Sequence, residues 1–164
     1  MTQSVSINLA VDVNQAVQTG GQSSNNKMDL DFIKTLANGT GADNATKAYY
    51  GSRSITASGT DVLNLTATLL DAFGAAITFT KIRGVFIKPA AANAGTISMG
   101  AGTNPVVTIL NSATDKINIA AGGFFMAVNP TATGYGVTAA TADKITITNN
   151  VASTVNYEIL IVGE

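Results

Sequence analysis

The chain has 164 residues and carries nine Lys and Arg against ten Asp and Glu, a formal net charge of −1, with no cysteine, histidine or tryptophan. These absences exclude disulfides, thiolate nucleophiles, Cys/His zinc sites, haem ligation through either residue and every histidine-dependent triad. Only 12% of residues are charged and arginine occurs at positions 53 and 83 alone, so the basic footprint of a protein that tracks nucleic-acid phosphates is missing.

The length suits one domain with an additional arm. Hydrophobic residues make up 46% of the chain, and 16 glycines stand against three prolines. Threonine and valine fit pleated strands, while asparagine and glycine fit the tight turns between them. No stretch approaches the ~18 uninterrupted apolar residues of a spanning helix, so no membrane association is expected. The opening MTQSVSINLAVDV has neither a basic start nor a compact apolar run, and a secretory signal is not expected. Low charge in a β-rich chain fits a protein that assembles, because interface cores are depleted of charge.

In chain order, the first signal is a period of two. Val5, Ile7, Leu9, Val11 and Val13 alternate with small or polar residues, which places all of them on one face of an extended strand. That strand either packs on its own core or forms an arm that adds to a neighbouring subunit. Residues 14–27, with Gly20-Gly21 and Asn25-Asn26, read as a linker or exposed loop. Met28, Leu30 and Phe32 then alternate with Asp29 and Asp31 and predict a strand, although the Phe32–Leu36 spacing also permits a short helix from Asp29. Asn38-Gly39 predicts a turn.

From Thr46 the pattern is strand, turn, strand. Strands are predicted at 47–57, 61–68, 76–88, 95–99, 105–110, 116–120, 123–128, 134–139, 143–148 and 153–162. Leu63, Leu65, Ala67 and Leu69 share one face of the second. The register of the third breaks near Gly84, where a β-bulge is expected. In the last, Val155, Tyr157, Ile159 and Ile161 line one side while Leu160 and Val162 make its end apolar on both, as in a central or interface-facing strand. The whole reads as an all-β fold: an antiparallel two-sheet β-sandwich, jelly-roll-like, spanning 36–164, with an extended N-terminal strand and linker over 1–35.

Chemistry-bearing patterns are sparse. Asp29 and Asp31 project from one face of a strand, where two carboxylates can share a proton or hold calcium, but a solvated strand face is the preferred account of them. Asp61, Asp71, Asp115 and Asp143 sit near turns, where aspartate bonds nearby amides. Gly39-x-Gly41, Gly100-x-Gly102 and Gly134-x-Gly136 lack the helix and the lysine of a phosphate loop. Ser54 and Lys81 form no recognisable dyad motif, and an enzyme is not expected. No catalytic, cofactor-binding or metal-binding residues are assigned. Tyr49 and Tyr50 are adjacent on a strand, so one points inward and the other outward, where it can meet a sugar ring or a protein.

The run LANGTGADNATKAYYGSRSITASGTDVLNL, then LLDAFGAAITFTKIRGVFIKPAAAN, AAGGFFMAVNPTATGYGV, TADKITITN and VNYEILIVG, resembles small structural proteins of tailed-bacteriophage virions, of the capsid decoration or cement type. The resemblance covers residues 36–164. It implies a place on the outer surface of the capsid, the major capsid protein as partner, a homo-oligomer, and no cofactor, nucleic acid or membrane. A tail, baseplate or head-fibre module and a glycan-binding adhesin domain are the alternatives. Val5, Ile7, Leu9, Val11, Val13, Tyr49 and Tyr50 are the candidate interface residues.

Overall fold

The computed structural model describes residues 4–19 and 22–164. Its first two strands form one long hairpin. β1 (Val5–Thr19) and β2 (Gln22–Asn38) pair antiparallel, in register from Val5↔Leu36 to Thr19↔Gln22. At about 3.4 Å per residue, the 15 residues of β1 extend about 50 Å. This corrects the reading of 14–27 as a linker for residues 14–19 and 22–27; Gly20-Gly21 lies outside the described residues. Each arm supplies the other's backbone partners, so a run rich in Gln, Ser and Asn stays extended despite weak strand propensity. The end of β2 pairs in parallel with the short β3 (Asn44–Ala45).

The body follows. Its strands are β4 (Lys47–Ile55), β5 (Thr60–Asn64), β6 (Leu69–Leu70), β7 (Ala76–Ile77), β8 (Lys81–Pro89), β9 (Ile97–Gly100), β10 (Lys116–Ile119), β11 (Phe125–Val128), β12 (Tyr135–Gly136), β13 (Lys144–Asn149) and β14 (Val155–Gly163). One sheet runs β10-β9-β13-β5 and a second β11-β8-β14-β4, with β12 also on β8 and a small β6-β7 pair apart. Every pairing within these sheets is antiparallel. Side chains of both large sheets join one buried cluster, among them Tyr49 and Ile159 from one, and Leu63, Ile97 and Ile147 from the other. Period-two alternation explains the choice: in β14, Val155, Tyr157, Ile159 and Ile161 are all buried.

Several predicted elements change. Residues 105–110 are not a strand; a single helical turn, α1 (Val107–Leu110), follows Pro105 and closes at Asn111 in the left-handed region. Pro105 has no amide to give a ladder, and Val106 instead anchors the turn by donating to the Lys144 carbonyl at 3.0 Å. The 61–68 strand stops at Asn64, whose Oδ1 accepts from the Thr66 amide and turns the chain, leaving Ala67 exposed while Leu63, Leu65 and Leu69 are buried. The 76–88 strand is split, because Phe79 and Thr80 donate to Leu65 and Glu164 carbonyls between β7 and β8. Of 134–139 only Tyr135–Gly136 is strand. The register break falls at Arg83, beside Gly84: Val162 faces Gly84, but Gly163 faces Ile82.

Candidate interaction surface

The hairpin is amphipathic. Residues opposed across an antiparallel pair share a face. Val5, Ile7, Leu9 and Val11 therefore share one with Leu36, Lys34, Phe32 and Leu30, and Val13 is the register partner of Met28. The other face carries Ser6, Thr35, Asn8, Ile33, Ala10 and Asp31. Two halves of the apolar face meet different fates.

The proximal half lies on the outer face of the five-stranded sheet. Val5, Ile7 and Leu160 pack around buried Leu36, Ala45 and Val162 in a small cluster separate from the main core. Ile7 sits over Gly84, its Cδ1 3.4 Å from the place a Cβ would take. Lys34 reaches back to Asp43, Nζ to Oδ1 at 2.6 Å. Beside this contact a cleft of about 210 Å³ stays open between Val5, Ile7, Phe86, Met126, Val128 and Leu160.

Among the described residues, the apolar side chains of the distal half are exposed. Val11 and Val13 are 43% and 44% exposed, Leu30 68% and Phe32 40%. Just before β11, at the edge of the five-stranded sheet, Phe124 is 55% exposed, with its ring 5.7 Å from that of Phe86. Val11 and Leu30 are register partners, as are Leu9 and Phe32, so the exposed Val11, Leu30 and Phe32 side chains lie side by side on one ribbon face.

Charged groups fasten the parts together. Arg83 is fully buried under the hairpin base. Its guanidinium donates to the carbonyls of Gly41, Thr131 and Ala132 and pairs with the Glu164 carboxylate, while Nε has no partner. Glu164 also accepts from the Gly41 amide at 3.1 Å and faces Lys81 Nζ at 3.4 Å. Burial pushes the Glu164 carboxyl up, but the bonds from Arg83 and Gly41 outweigh it and hold the group below the ordinary carboxylate range. The three segments that meet at Arg83 include the turn entering β3, so this clasp fixes where the hairpin leaves the body.

A second cluster closes the gap between the edge strands β4 and β5. Arg53 grips Asp61 with Nε–Oδ2 at 2.5 Å and Nη2–Oδ1 at 2.8 Å, Tyr157 donates to Oδ2 at 2.8 Å, and Tyr49 accepts from Arg53 Nη1 at 3.1 Å. Burial raises the Asp61 carboxyl, yet the Arg53 and Tyr157 bonds hold it below its usual value. Burial, reinforced by Asp61, raises the Tyr157 hydroxyl. These groups satisfy one another, an arrangement that locks two sheets together.

The candidate residues thus divide. Val5 and Ile7 face the body; Leu9, Val11 and Val13 continue the row outward. Tyr49 is buried in the core, whereas Tyr50 is 63% exposed and donates to Glu158 Oε1 at 2.7 Å. Asp31 is exposed, and the side chain of Asp29 lies outside the described residues. Asp71 takes the turn role, accepting from the Phe73 and Ala75 amides at 2.8 Å. Asp143 does likewise for Ala140, with its Oδ1 buried and unpartnered. Lys81 lies with Glu164, by the end of β14 at which Gly163 meets Lys47, while Ser54 faces Asn156 near the other end. Among the described residues no three Asp or Glu side chains gather as a metal cluster, and no helix is long and apolar enough to cross a membrane.

Sequence reasoning missed Leu30, Phe32 and Phe124 as surface residues. The Met28–Leu30–Phe32 alternation was a sufficient signal for a strand, but its pairing with β1 was hidden by the polar run between them. Nothing in the sequence distinguishes Phe124 from its half-buried neighbours. No protein-family model matches the chain, and no curated protein is significantly similar to it.

Proposed function

We propose that this chain is a virion structural protein of the capsid decoration type, which sits on the outer surface of a phage head and bridges neighbouring shell subunits. The body is read as a jelly-roll sandwich with an N-terminal hairpin arm. Support for that fold comes from the pairing of its eight main strands: first with last (β4·β14), then β5·β13, β8·β11 and β9·β10, each pair nested inside the one before. Such nesting is what one long antiparallel ribbon makes when it winds around a core, and jelly rolls recur in viral shells.

The observation that carries the functional reading is the two-part build. A bridging protein needs a body that keeps its shape and a separate surface that makes the contact. Here the core and the two ion-pair clusters provide the first, and the exposed apolar half of the hairpin provides the second. The motifs of residues 36–164 that resemble virion proteins point the same way. Bridging adds interface at each site, and repetition over a symmetric shell multiplies the effect.

The test is binding of the purified chain to isolated mature heads. A decoration protein saturates at a fixed ratio to the major shell protein and raises the temperature at which heads release DNA. Binding to tails alone assigns the chain to a tail or fibre. Binding to host glycans with none to heads assigns it to adhesion and removes the proposal.

A further inference from the structure

We propose that the distal half of the hairpin docks on a second copy of this chain, lying across the outer face of the partner's five-stranded sheet while the partner's hairpin does the same in return. This deepens the decoration reading by naming the hairpin's partner, and it depends on that reading only for the setting in which the pair works.

The occupant follows from features of one chain. The outer sheet face already accepts a ribbon of this chemistry, since Ile7 and Val5 pack on it from the hairpin's proximal half. The distal half repeats the same branched alternation in unbroken continuity, with Val11 and Leu30 paired and exposed. The receiving face keeps room for it: the cleft of about 210 Å³ beside the hairpin base is lined by Phe86, Met126 and Leu160, and Phe124 stands exposed next to Phe86. Both halves of a complementary pair are therefore present and unfilled. Because the hairpin's strands already pair with each other along their whole length, contact through the ribbon's face leaves that ladder intact. Lending a single strand to a neighbour would break it.

Area agrees. From Leu9 to Thr19 the ribbon is about 37 Å long and about 10 Å wide, so one face offers about 370 Å². Reciprocal exchange covers four such faces, about 1,500 Å², the size of a standard specific interface, whereas face-to-face stacking of two ribbons covers only half that. A net charge of −1 opposes self-association only weakly. Reciprocal exchange is also a closed two-fold contact, which ends at a dimer.

Sedimentation equilibrium of the full chain tests this with two exposed-site variants, Leu30→Lys on the ribbon and Phe124→Glu at the sheet edge, each checked for an unchanged circular dichroism spectrum. The wild type is expected to be a dimer at ~10 µM and above, and each variant to raise the dissociation constant about 100-fold or more. An equimolar mixture of the two variants should recover a dimer, because one ribbon–sheet contact is then wild type and the other opposes Lys to Glu. A monomeric wild type at ~100 µM overturns the inference. So does a Leu30→Lys protein that dimerises normally, a Phe124→Glu protein that dimerises while Leu30→Lys does not, or a mixture that stays monomeric. Dimerisation without head binding sinks the decoration reading and leaves this one standing; head binding by a monomer does the reverse.

Discussion

Arg83 and Glu164 show how much one pair can decide. A fully buried guanidinium lies opposite a buried carboxylate and each bonds the other, with three carbonyls and an amide adding further bonds. Removing one partner strands the other, and breaking such a pair costs about 3 kcal/mol or more. Glu164→Gln should therefore lower the melting temperature by roughly 6–12 °C for a chain of this size, readable by calorimetry. A melting point within about 1 °C of wild type would show that the clasp contributes nothing net. The same carboxyl predicts the pH response. Its folded pKa lies below its unfolded value, so its contribution is complete above the unfolded value of about 4.3 and disappears as pH falls through the folded one. Asp61 has the same sign. Urea midpoints should be flat from pH 7 to about 5 and fall steeply below about 4, with a shallower fall in Glu164→Gln; equal acid slopes in both proteins would contradict the assignment. At the second cluster, Tyr157→Phe removes one donor from Asp61 while Arg53 keeps its grip, and a loss of about 1–2 kcal/mol in chemical denaturation is expected.

Among the elements, the hairpin and the body differ in what holds them. β14 lies between β8 and β4 with both faces covered at its end, so its amides should be among the slowest to exchange. The distal hairpin is paired strand to strand, and two-stranded ribbons are marginal alone. Ile7→Asp is expected to lift the hairpin base from Gly84, so that exchange in β1 and β2 accelerates while β14 is unaffected. If β14 accelerates equally, the hairpin base belongs to the main core. Exchange over residues 9–13 and 28–33 should also slow as protein concentration rises, since docking covers that face.

What was legible in the sequence follows from the same physics. In Val155–Ile161 strong alternation let both the face and the burial be read directly, because a half-buried strand requires period two; in Val5–Val13 it gave the shared face alone, since Val11 and Val13 lie exposed. The adjacent tyrosines divided for that reason, Tyr49 inward and Tyr50 outward. Elements set by long-range partners were not legible. Residues 14–19 and 22–27 become strand only because each arm finds the other. Residues 105–110 lose their strand because the Lys144 backbone already engages Pro105 and Val106. Arg83 and Glu164 are 81 residues apart, and nothing local announces that they meet.

For the molecule as a whole, contacts made by an apolar ribbon and a sheet of low charge should respond weakly to salt. Self-association and head binding are each expected to change by less than about threefold between 50 and 500 mM NaCl, since exposed ion pairs are the part that salt screens. A loss of tenfold or more over that range, in titrations at constant pH, would point to charged contacts and away from the hairpin face.

A decoration protein is defined by where it sits on the particle and in how many copies. The most direct measurement is the number of copies per purified phage particle, by quantitative gel densitometry against the major shell protein. Shell decoration predicts hundreds of copies, in fixed proportion to the shell protein. A count in the tens or below, or absence from the particle, contradicts it.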